Sequence, residues 1–362
     1  MKILYISPEN TVGTLGLWQR IHRDRGHECR TITYFPSAAG FPDDICLNLP
    51  LIRASPRYIR FRNWIYLRTR GPLGDETTVP GNPPVWRPGG LAERAYFAFR
   101  DWLWRRRVEP AIRRYGLLDF DVYHLEWGLE FYRNGNFVER LSRRNKPILA
   151  TYHGQDLRNR GVIPAVDSRV WLNFSSEYDL LPRLPNMHYL FLPYDVKAVQ
   201  PHAGLHSPVT LCHATQRRYV KGSDAIIAAC RSLEMSHGIR FILIENRPHH
   251  EAMALKRQAD IYIDQLADVA PGYGMNSIEA MALGLACCTR MNPDYQAFMP
   301  DHPFVNIDPD NILKKLTGLV ENTQLIRERG RAARLWAETH HDLQAVGDQL
   351  YEEYHQLGIM DA

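Results

Sequence analysis

The stretch APGYGMNSIEAMALG, residues 270–284, places two glycines around an aromatic residue in front of a short helical pattern. Gly272 and Gly274 allow backbone amides to approach a ligand closely, and the polar residues that follow can support the start of a helix. Glu279 stands one turn inside that helix, where a carboxylate can accept two hydrogen bonds from a vicinal diol. Taken alone, the segment fits a capped helix with a surface glutamate equally well.

Short apolar, β-branched or aromatic runs alternate with helical patterns on both sides of this stretch. Ten runs are predicted to be strands: 2–7, 29–34, 122–127, 147–153, 170–176, 188–193, 208–214, 239–245, 260–265 and 285–290. Several are apolar on both faces, which is typical of parallel strands covered by helices on each side. The sequence therefore predicts an α/β protein with two sheets.

A domain boundary is predicted where this alternation weakens. Residues 195–208, DVKAVQPHAGLHSP, contain Pro, Gly and His and show little periodicity. We expect a first domain over 1–200 and a second that begins near 207.

Composition and hydropathy argue against a disordered chain, a secreted protein and a membrane-spanning protein. The chain has 362 residues, of which 45% are hydrophobic and 23% are charged, as in ordinary globular proteins. Its six cysteines are scattered without metal-ligand spacing. The N-terminal run KILYIS is too short for a signal peptide, and no apolar run reaches the roughly 18 residues of a membrane span. We expect a cytoplasmic protein.

Basic residues are concentrated in one segment. The net charge is +4, but residues 53–114 contain fourteen arginines against five acidic residues, a local net charge of +9. Tryptophans, tyrosines and phenylalanines are interleaved with these arginines. Such a mixture attracts phosphates, anionic lipid headgroups or nucleic acid, although solvated arginines beside core aromatics explain it as well.

Ligands of open α/β sheets bind beyond the carboxyl ends of the strands, so residues that follow strands are the candidates for chemistry. After the first strand, Gly13 and Gly16 predict a loop with outward-facing amides, followed by a helix that begins near Leu15 and stops at Gly26. After the strand at 147–153, His153 and Asp156 could hold a hydroxyl-rich ligand. A structural histidine explains that position equally well.

The corresponding loop of the second half is basic. Arg217, Arg218 and Lys221 follow the strand at 208–214, and a helix begins directly after them. Cations beside a helix N-terminus form a site suited to a diphosphate. A solvated basic loop is the plain alternative.

The order of these segments resembles the family 4 glycosyltransferases, which are retaining enzymes of the GT-B fold. The resemblance covers residues 1 to about 290 and is weakest over 40–120. Its motifs are GLWQRIHRDRGHECRTITY after the first strand, HGQD, RRYVKGSD and GYGMNSIEAMALGLACC. It implies two Rossmann-like domains that face each other across a cleft, the second over 207–339, with the helix at 340–362 packing back on the first.

The resemblance also implies a reaction, in which a sugar moves from a nucleotide diphosphate sugar to a saccharide, polysaccharide or lipid-linked acceptor, with retention at the anomeric carbon. The implied catalytic residues are His153, Asp156, Arg218 and Lys221. The implied donor-binding residues are Gly13, Gly16, Arg217, Gly272, Tyr273, Gly274, Met275, Asn276 and Glu279.

One position departs from the family pattern. The family often has a glutamate eight residues before the position of Glu279, and this chain has Pro271 there. Proline cannot make the corresponding contact with the donor sugar. No cofactor is expected. No metal is expected either. Asp119 and Asp121 are the acids of the only DxD motif with a predicted strand beside it, and they precede that strand, whereas ligands gather after strands.

Two alternatives remain open at this point. The same fold could serve a sugar-nucleotide epimerase or phosphorylase, which for an epimerase would require an acid and a base beside the sugar. A noncatalytic protein could instead bind anionic surfaces or nucleic acid through 53–114. In the transferase interpretation, that segment is an acceptor-side surface or a peripheral contact with the inner face of the membrane, as in polysaccharide biosynthesis.

Overall fold

The computed structural model describes residues 1–37, 39–51, 64, 81–154, 156–202, 204–216, 218–267 and 272–360. Arg217 and Pro271 therefore lie outside the described residues. So do the first six of the fourteen arginines, from Arg53 to Arg70. The chain divides into two compact units, Met1–Leu190 with Leu350–Ala362, and Phe191–Gln349.

The first unit is built on a seven-stranded sheet of the order β3-β2-β1-β4-β5-β6-β7, in which every pair is parallel. The strands are β1 Lys2–Ser7, β2 Glu28–Thr33, β3 Ile45–Cys46, β4 Val122–Glu126, β5 Ile148–Tyr152, β6 Leu172–Ser175 and β7 Met187–Tyr189. The strands are mostly buried, as sheets covered on both faces require. Its helices are α1 Thr14–Asp24, α2 Leu91–Arg114, α3 Asn136–Ser142 and the single turn α4 Pro164–Asp167, with a π turn at Asp156–Arg160 and a 3-10 turn at Tyr178–Arg183.

The second unit has a five-stranded parallel sheet of the order β12-β11-β10-β8-β9. Its strands are β8 Thr210–Thr215, β9 Arg240–Glu245, β10 Ile261–Ile263, β11 Ala286–Thr289 and β12 Val305–Asn306. The helices are α5 Arg218–Lys221, α6 Ser223–His237, α7 His249–Lys256, α8 Met275–Ala282, α9 Pro293–Phe298, α10 Ile312–Val320, α11 Thr323–His340 and α12 Leu343–Gln356, with a 3-10 turn at Val196–Ala198.

Both strand orders are those of doubly wound nucleotide-binding folds. The first unit has the order 3-2-1-4-5-6 with one strand added, and the second, counted from β8, has the order 2-1-3-4-5. The prediction of two Rossmann-like α/β sheets is confirmed.

The first unit ends at Leu190, ten residues before the predicted limit of 200. The residues that follow pack within the second unit, where the Tyr194 amide donates to the carbonyl of His341 at 2.7 Å and Arg334 donates to the carbonyl of Val199 at 2.8 Å. The C-terminal segment assigned to the first unit starts at Leu350, later than the expected 340. In that segment Tyr351 and Tyr354 bond to the imidazoles of His22 and His124 at 2.8 and 2.6 Å.

Helix α2 runs through Pro110 without a break, although proline commonly interrupts a helix. Pro110 is exposed, so water can solvate the carbonyl that proline leaves without an intrahelical partner. Among the described residues, no helix is both long and apolar enough to cross a membrane.

Candidate functional site

The second unit brings its basic loop to the point where the strand order reverses. Strands β8 and β10 are neighbours, and the chain continues from them to opposite sides of the sheet, which opens a crevice at their carboxyl ends. Lys221 ends the one-turn helix α5 that follows β8, and its ammonium group donates to Asp264, which follows β10. The helix α6 begins two residues after Lys221, so its N-terminal amides lie beside this ion pair.

Asp264 is almost completely buried and has a partner for each carboxylate oxygen. Ser277 donates to Oδ2 at 2.7 Å, and the hydroxyl of Tyr262 lies 3.3 Å from Oδ1. Burial alone would raise the pKa of Asp264, but the charge and hydrogen bond of Lys221 outweigh it and hold the pKa below its usual value. The carboxylate therefore fixes the ammonium group of Lys221 at the carboxyl end of β10.

Arg218 pairs with a carboxylate as well. Its Nε and Nη2 atoms donate to the two oxygens of Glu245, both at 2.7 Å, and Glu245 ends strand β9. The pair is exposed to water, so the guanidinium can exchange this partner at little cost.

Glu279 lies one turn inside α8, as the sequence predicts. Its side chain is buried, and other side chains bond to both of its carboxylate oxygens. His249 lies 2.8 Å from Oε1, and Lys256 donates to Oε2. Lys256 is itself fully buried and also donates to Oδ1 of Asn276 at 2.7 Å. Burial would raise the pKa of Glu279, but the charge of Lys256 and the two hydrogen bonds lower it. His249 is the most exposed member of this group.

The two glycines before α8 differ in what they do. Gly272 has φ +104°, and a Cβ there would lie 2.5 Å from the ring of Tyr295. Gly274 has extended backbone, and no atom lies within 4 Å of a Cβ built on it. Gly272 is therefore required by the turn, whereas Gly274 leaves open space in front of the helix that begins at Met275.

The side chain of Tyr273 is bound within the protein. Its hydroxyl lies 2.9 Å from Nε2 of His341 and accepts from the indole of Trp336 at 3.2 Å. Only its backbone is available to contribute to the expected donor site.

In the first unit, helix α1 begins at Thr14, one residue before the predicted start near Leu15, and ends at Asp24. Gly16 therefore lies on the exposed side of the first turn and not in the loop itself. Gly13 does lie at the turn, with φ +80°, and a Cβ there would lie 2.8 Å from the ring of Phe41.

His153 pairs with Glu126 at the carboxyl ends of the neighbouring strands β5 and β4. The distance between Nε2 and Oε2 is 2.6 Å. Burial lowers the pKa of His153, but the hydrogen bond and charge of Glu126 outweigh it and raise the pKa to about 9. The imidazole is therefore protonated at neutral pH.

Asp156 binds the backbone of its own loop. Its oxygens accept from the amide of His153 at 3.0 and 2.9 Å, and from that of Leu157 at 2.7 Å. This geometry fixes the backbone that carries His153.

The predicted residues thus fall into groups that belong to separate units. Lys221, Glu279, Asn276 and the glycines belong to the second unit, and His153 with Asp156 to the first. Sequence reasoning did not identify the partners Asp264, Glu245, His249 and Lys256. For Asp264 and Glu245 a signal existed, because both stand at carboxyl ends of predicted strands.

One further group lies at the amino ends of the strands of the second sheet, opposite the carboxyl ends where ligands are expected. His202, His206 and Asp260 offer ligand atoms within 4.8 Å of one another, an arrangement that could hold a metal ion. Both imidazoles lie 3.0 Å from Oδ1 of Asp260, which precedes β10. The group is therefore remote from the carboxyl ends of the strands.

No protein-family model matches the sequence, and a search of curated proteins gives no significant match. Solved structures do align over almost the whole chain. Sucrose-phosphate synthase from Thermosynechococcus elongatus is 14% identical with a TM-score of 0.59, and the alignment covers 99% of each chain. HepE from Anabaena, solved in complex with UDP and glucose, is 12% identical with a TM-score of 0.55, covering 98% of this chain and all of the other.

A structure described as a putative UDP-N-acetylglucosamine 2-epimerase from Listeria monocytogenes also aligns. It is 10% identical with a TM-score of 0.53, and the alignment covers all of this chain and 97% of the other. At such identities the likeness concerns the fold. Together with the two strand orders, it assigns the GT-B fold to this chain.

Proposed function

We propose that this protein is a retaining, metal-independent glycosyltransferase of the family 4 type. It transfers a sugar from a nucleotide diphosphate sugar to a saccharide, polysaccharide or lipid-linked acceptor. The observation that carries the proposal is Lys221, which is held at the crevice of the second sheet beside the N-terminus of α6. The occurrence of UDP in the HepE structure is in line with such a donor.

The reaction requires stabilisation of the negative charge that develops on the leaving diphosphate. The ammonium of Lys221, the guanidinium of Arg218 and the amides at the start of α6 supply the positive charge for this stabilisation from one side. Both cations already have carboxylate partners, so the diphosphate competes with Asp264 and Glu245 for them. The Glu245 partner is exposed and is the one more easily exchanged.

Glu279 is proposed to accept hydrogen bonds from the ribose diol. Lys256 keeps this carboxylate ionised and fixed, and His249 is the partner that ribose would replace. Replacement of a half-exposed imidazole costs less than replacement of the buried ammonium.

His153 is proposed to contact the donor sugar as a protonated imidazole. Its pairing with Glu126 keeps the charge in place. Asp156 acts through the loop backbone, and a front-face transfer needs no enzymic nucleophile, since the leaving phosphate can accept the proton of the acceptor hydroxyl.

A thermal-shift panel with UDP, GDP, ADP and CDP tests the donor site. At a concentration about a hundred times the dissociation constant, binding adds roughly 2.7 kcal/mol to the free energy of unfolding. We expect one nucleotide to raise the melting temperature of the wild type, and Lys221→Ala and Glu279→Ala to lose this response. Activity that survives dialysis against EDTA would support metal independence, and loss restored by a divalent ion would refute it.

An epimerase is the second candidate, favoured by the His153–Glu126 pair and by the Listeria structure. Its reaction needs an acid and a base at the sugar, and a protonated histidine beside a carboxylate offers both. Incubation with the nucleotide sugar alone discriminates the two: an epimerase produces an epimeric sugar nucleotide without any acceptor, whereas a transferase requires one.

Peripheral association with anionic membranes is proposed for α2. Leu91, Phe99 and Trp102 are exposed on this helix, and Arg106 stacks over Trp102 with its Cζ 4.5 Å from the ring centroid. Replacement of Arg105, Arg106 and Arg107 by Ser should abolish sedimentation with anionic vesicles, since each basic residue near such a surface contributes about 1 kcal/mol. The matched control replaces the exposed Arg327, Arg329 and Arg331 of α11. Equal losses in both triple variants would refute a specific role of α2.

A further inference from the structure

A group of polar side chains in the first unit has no role in the proposed donor chemistry. We call it the Arg133 cluster, and its members are Tyr34, Arg100, Glu130, Arg133 and Arg160. These side chains lie within electrostatic range of one another. Tyr34 follows β2, Arg133 follows β4 and Arg160 follows β5, so the cluster lies at the ligand-binding edge of the sheet.

The guanidinium of Arg133 is incompletely bonded although it is buried. Its Cζ lies 5.2 Å from the ring centroid of Trp86 and 4.9 Å from that of Phe97, which hold the group from two aromatic surfaces. Among the described residues, nothing accepts a hydrogen bond from Nε or Nη1. The buried hydroxyl of Tyr34 is likewise without a partner there. Buried donors are rarely left unpaired in native proteins.

The nearby carboxylates are occupied elsewhere. Asp101 accepts from the guanidinium of Arg100 through one oxygen and from the amide of Arg133 through the other, the latter at 2.8 Å. Glu130 accepts from the amides of Tyr132 and Phe137 at 3.0 and 3.3 Å. Neither supplies an acceptor for the side chain of Arg133.

The charges of the cluster do not balance. Burial raises the pKa of Glu130 to about 8, which leaves this carboxyl largely protonated at neutral pH. Burial also lowers the pKa of Arg133 well below the usual value of arginine. The guanidinium groups of Arg100, Arg133 and Arg160 then outnumber the neighbouring carboxylate of Asp101, which already accepts from Arg100. An anion placed against Nε and Nη1 would supply both the missing charge and the missing acceptors.

We propose that Arg133 and Tyr34 bind a carboxylate or phosphate group carried by the acceptor saccharide. The proposal rests on the proposed function, because it assigns the acceptor to the first unit, whereas the donor diphosphate is assigned to the second. A guanidinium group is suited to either anion, and Trp86 and Phe97, which border the guanidinium of Arg133, are both partly exposed. Acidic sugars are therefore accepted in preference to neutral ones.

Titrations at constant ionic strength test this assignment. The probes are D-glucuronate, D-glucose 6-phosphate and neutral D-glucose, with acetate and inorganic phosphate as sugar-free anions. We expect saturable binding of at least one acidic sugar, and at least tenfold weaker binding of D-glucose and of the sugar-free anions. Arg133→Met should weaken the acidic sugar at least tenfold, and Tyr34→Phe several-fold, with the response to UDP unchanged in both.

Two controls separate binding from folding. Arg143→Met removes an exposed guanidinium from the same unit and should leave the titrations unchanged. Without ligand, Arg133→Met should melt at or above the temperature of the wild type, since an unpaired buried cation is removed. A melting temperature several degrees lower would identify Arg133 as a structural residue and overturn the proposal.

Other outcomes would also overturn it. These are equal affinity for glucuronate, phosphorylated glucose and glucose, equal affinity for acetate or phosphate and the acidic sugars, or undiminished binding by Arg133→Met. Failure of UDP to bind the wild type would refute the proposed donor site alone, because the sugar titrations report on the Arg133 cluster separately.

Discussion

Lys256 holds the carboxylate on which the proposed ribose contact depends. It is fully buried and donates to Glu279 and Asn276. Lys256→Met would leave Glu279 buried without a cation, so we expect the free energy of unfolding to fall by about 3 to 5 kcal/mol. Denaturant titration measures this change. Lys314→Met on the exposed face of α10 is the matched control, and it should change the value by less than about 0.5 kcal/mol.

A double-mutant cycle shows whether the two charges act as a pair. In Lys256→Met with Glu279→Gln, no uncompensated charge is left, so the loss should be smaller than the sum of the two single losses. Strict additivity would contradict the pairing.

The pair of His153 and Glu126 predicts how stability depends on pH. The pKa of His153 in the folded state is about 9 because Glu126 outweighs the effect of burial, whereas histidine in an unfolded chain has a pKa near 6.5. The folded protein binds more protons between these values, so this contribution is complete below pH 6.5 and is lost as the pH rises through 9. With a discount for partial exposure, the loss amounts to about 1 to 2 kcal/mol.

Denaturant titrations at several pH values measure this loss. Glu126→Gln removes the partner, so its stability should vary less than that of the wild type over the same pH range. A wild-type profile that is flat between pH 6.5 and 9 would contradict the prediction.

Residue positions could be predicted better than residue partners. Glu279 was placed correctly inside a helix, and Lys221 directly before the helix that follows Gly222, because local patterns determine those positions. Asp264 is 43 residues from Lys221 in sequence, and the two meet only because β10 lies beside β8. Lys256 gave no signal, since a lysine in the last turn of a helix is normally solvated.

At the scale of elements, the turn before α8 predicts a contrast between its glycines. Gly272→Ala requires an L residue at φ +104° and a Cβ against Tyr295, so we expect a loss of about 2 to 3 kcal/mol in unfolding free energy. Gly274→Ala meets open space and should cost less than about 1 kcal/mol, but its methyl group should weaken nucleotide binding. Chemical denaturation and nucleotide titration of both variants measure this contrast, which equal stability losses would contradict.

All ten predicted strands occur in the structure, with ends that differ by a few residues. Parallel strands covered by helices are long apolar runs and are readily identified. Strands β3 and β12 were missed because each has two residues, too few to show a period. The start of α1 was predicted near Leu15, one residue from the observed Thr14, so Gly16 lies in the first turn, where an exposed glycine is tolerated.

At the scale of the whole molecule, the boundary predicted over 195–208 lies inside the second unit, which begins at Phe191. Tyr194 and Val199 pack within this unit through hydrogen bonds of their backbone groups. Such packing depends on long-range contacts with His341 and Arg334, which no local pattern reports. The chain passes between units again near Gln349, inside a regular helix, where sequence offers no break.

Because the two units have separate sheets and cores, we expect nucleotide binding to slow amide hydrogen exchange in one unit more than in the other. Because Lys221, Gly274 and Glu279 all belong to Phe191–Gln349, UDP or the preferred nucleotide should slow amide hydrogen exchange most in residues 218–224 and 272–284. The sheet amides of β4 and β5 should change little, because their exchange reports the stability of another core. Lys221→Ala should remove the protection, and its exchange is compared with and without nucleotide, because the loss of the Asp264 partner also alters the free variant. Hydrogen exchange followed by mass spectrometry resolves these segments. Protection confined to the first unit would place the nucleotide on the seven-stranded sheet and would refute the proposed donor site.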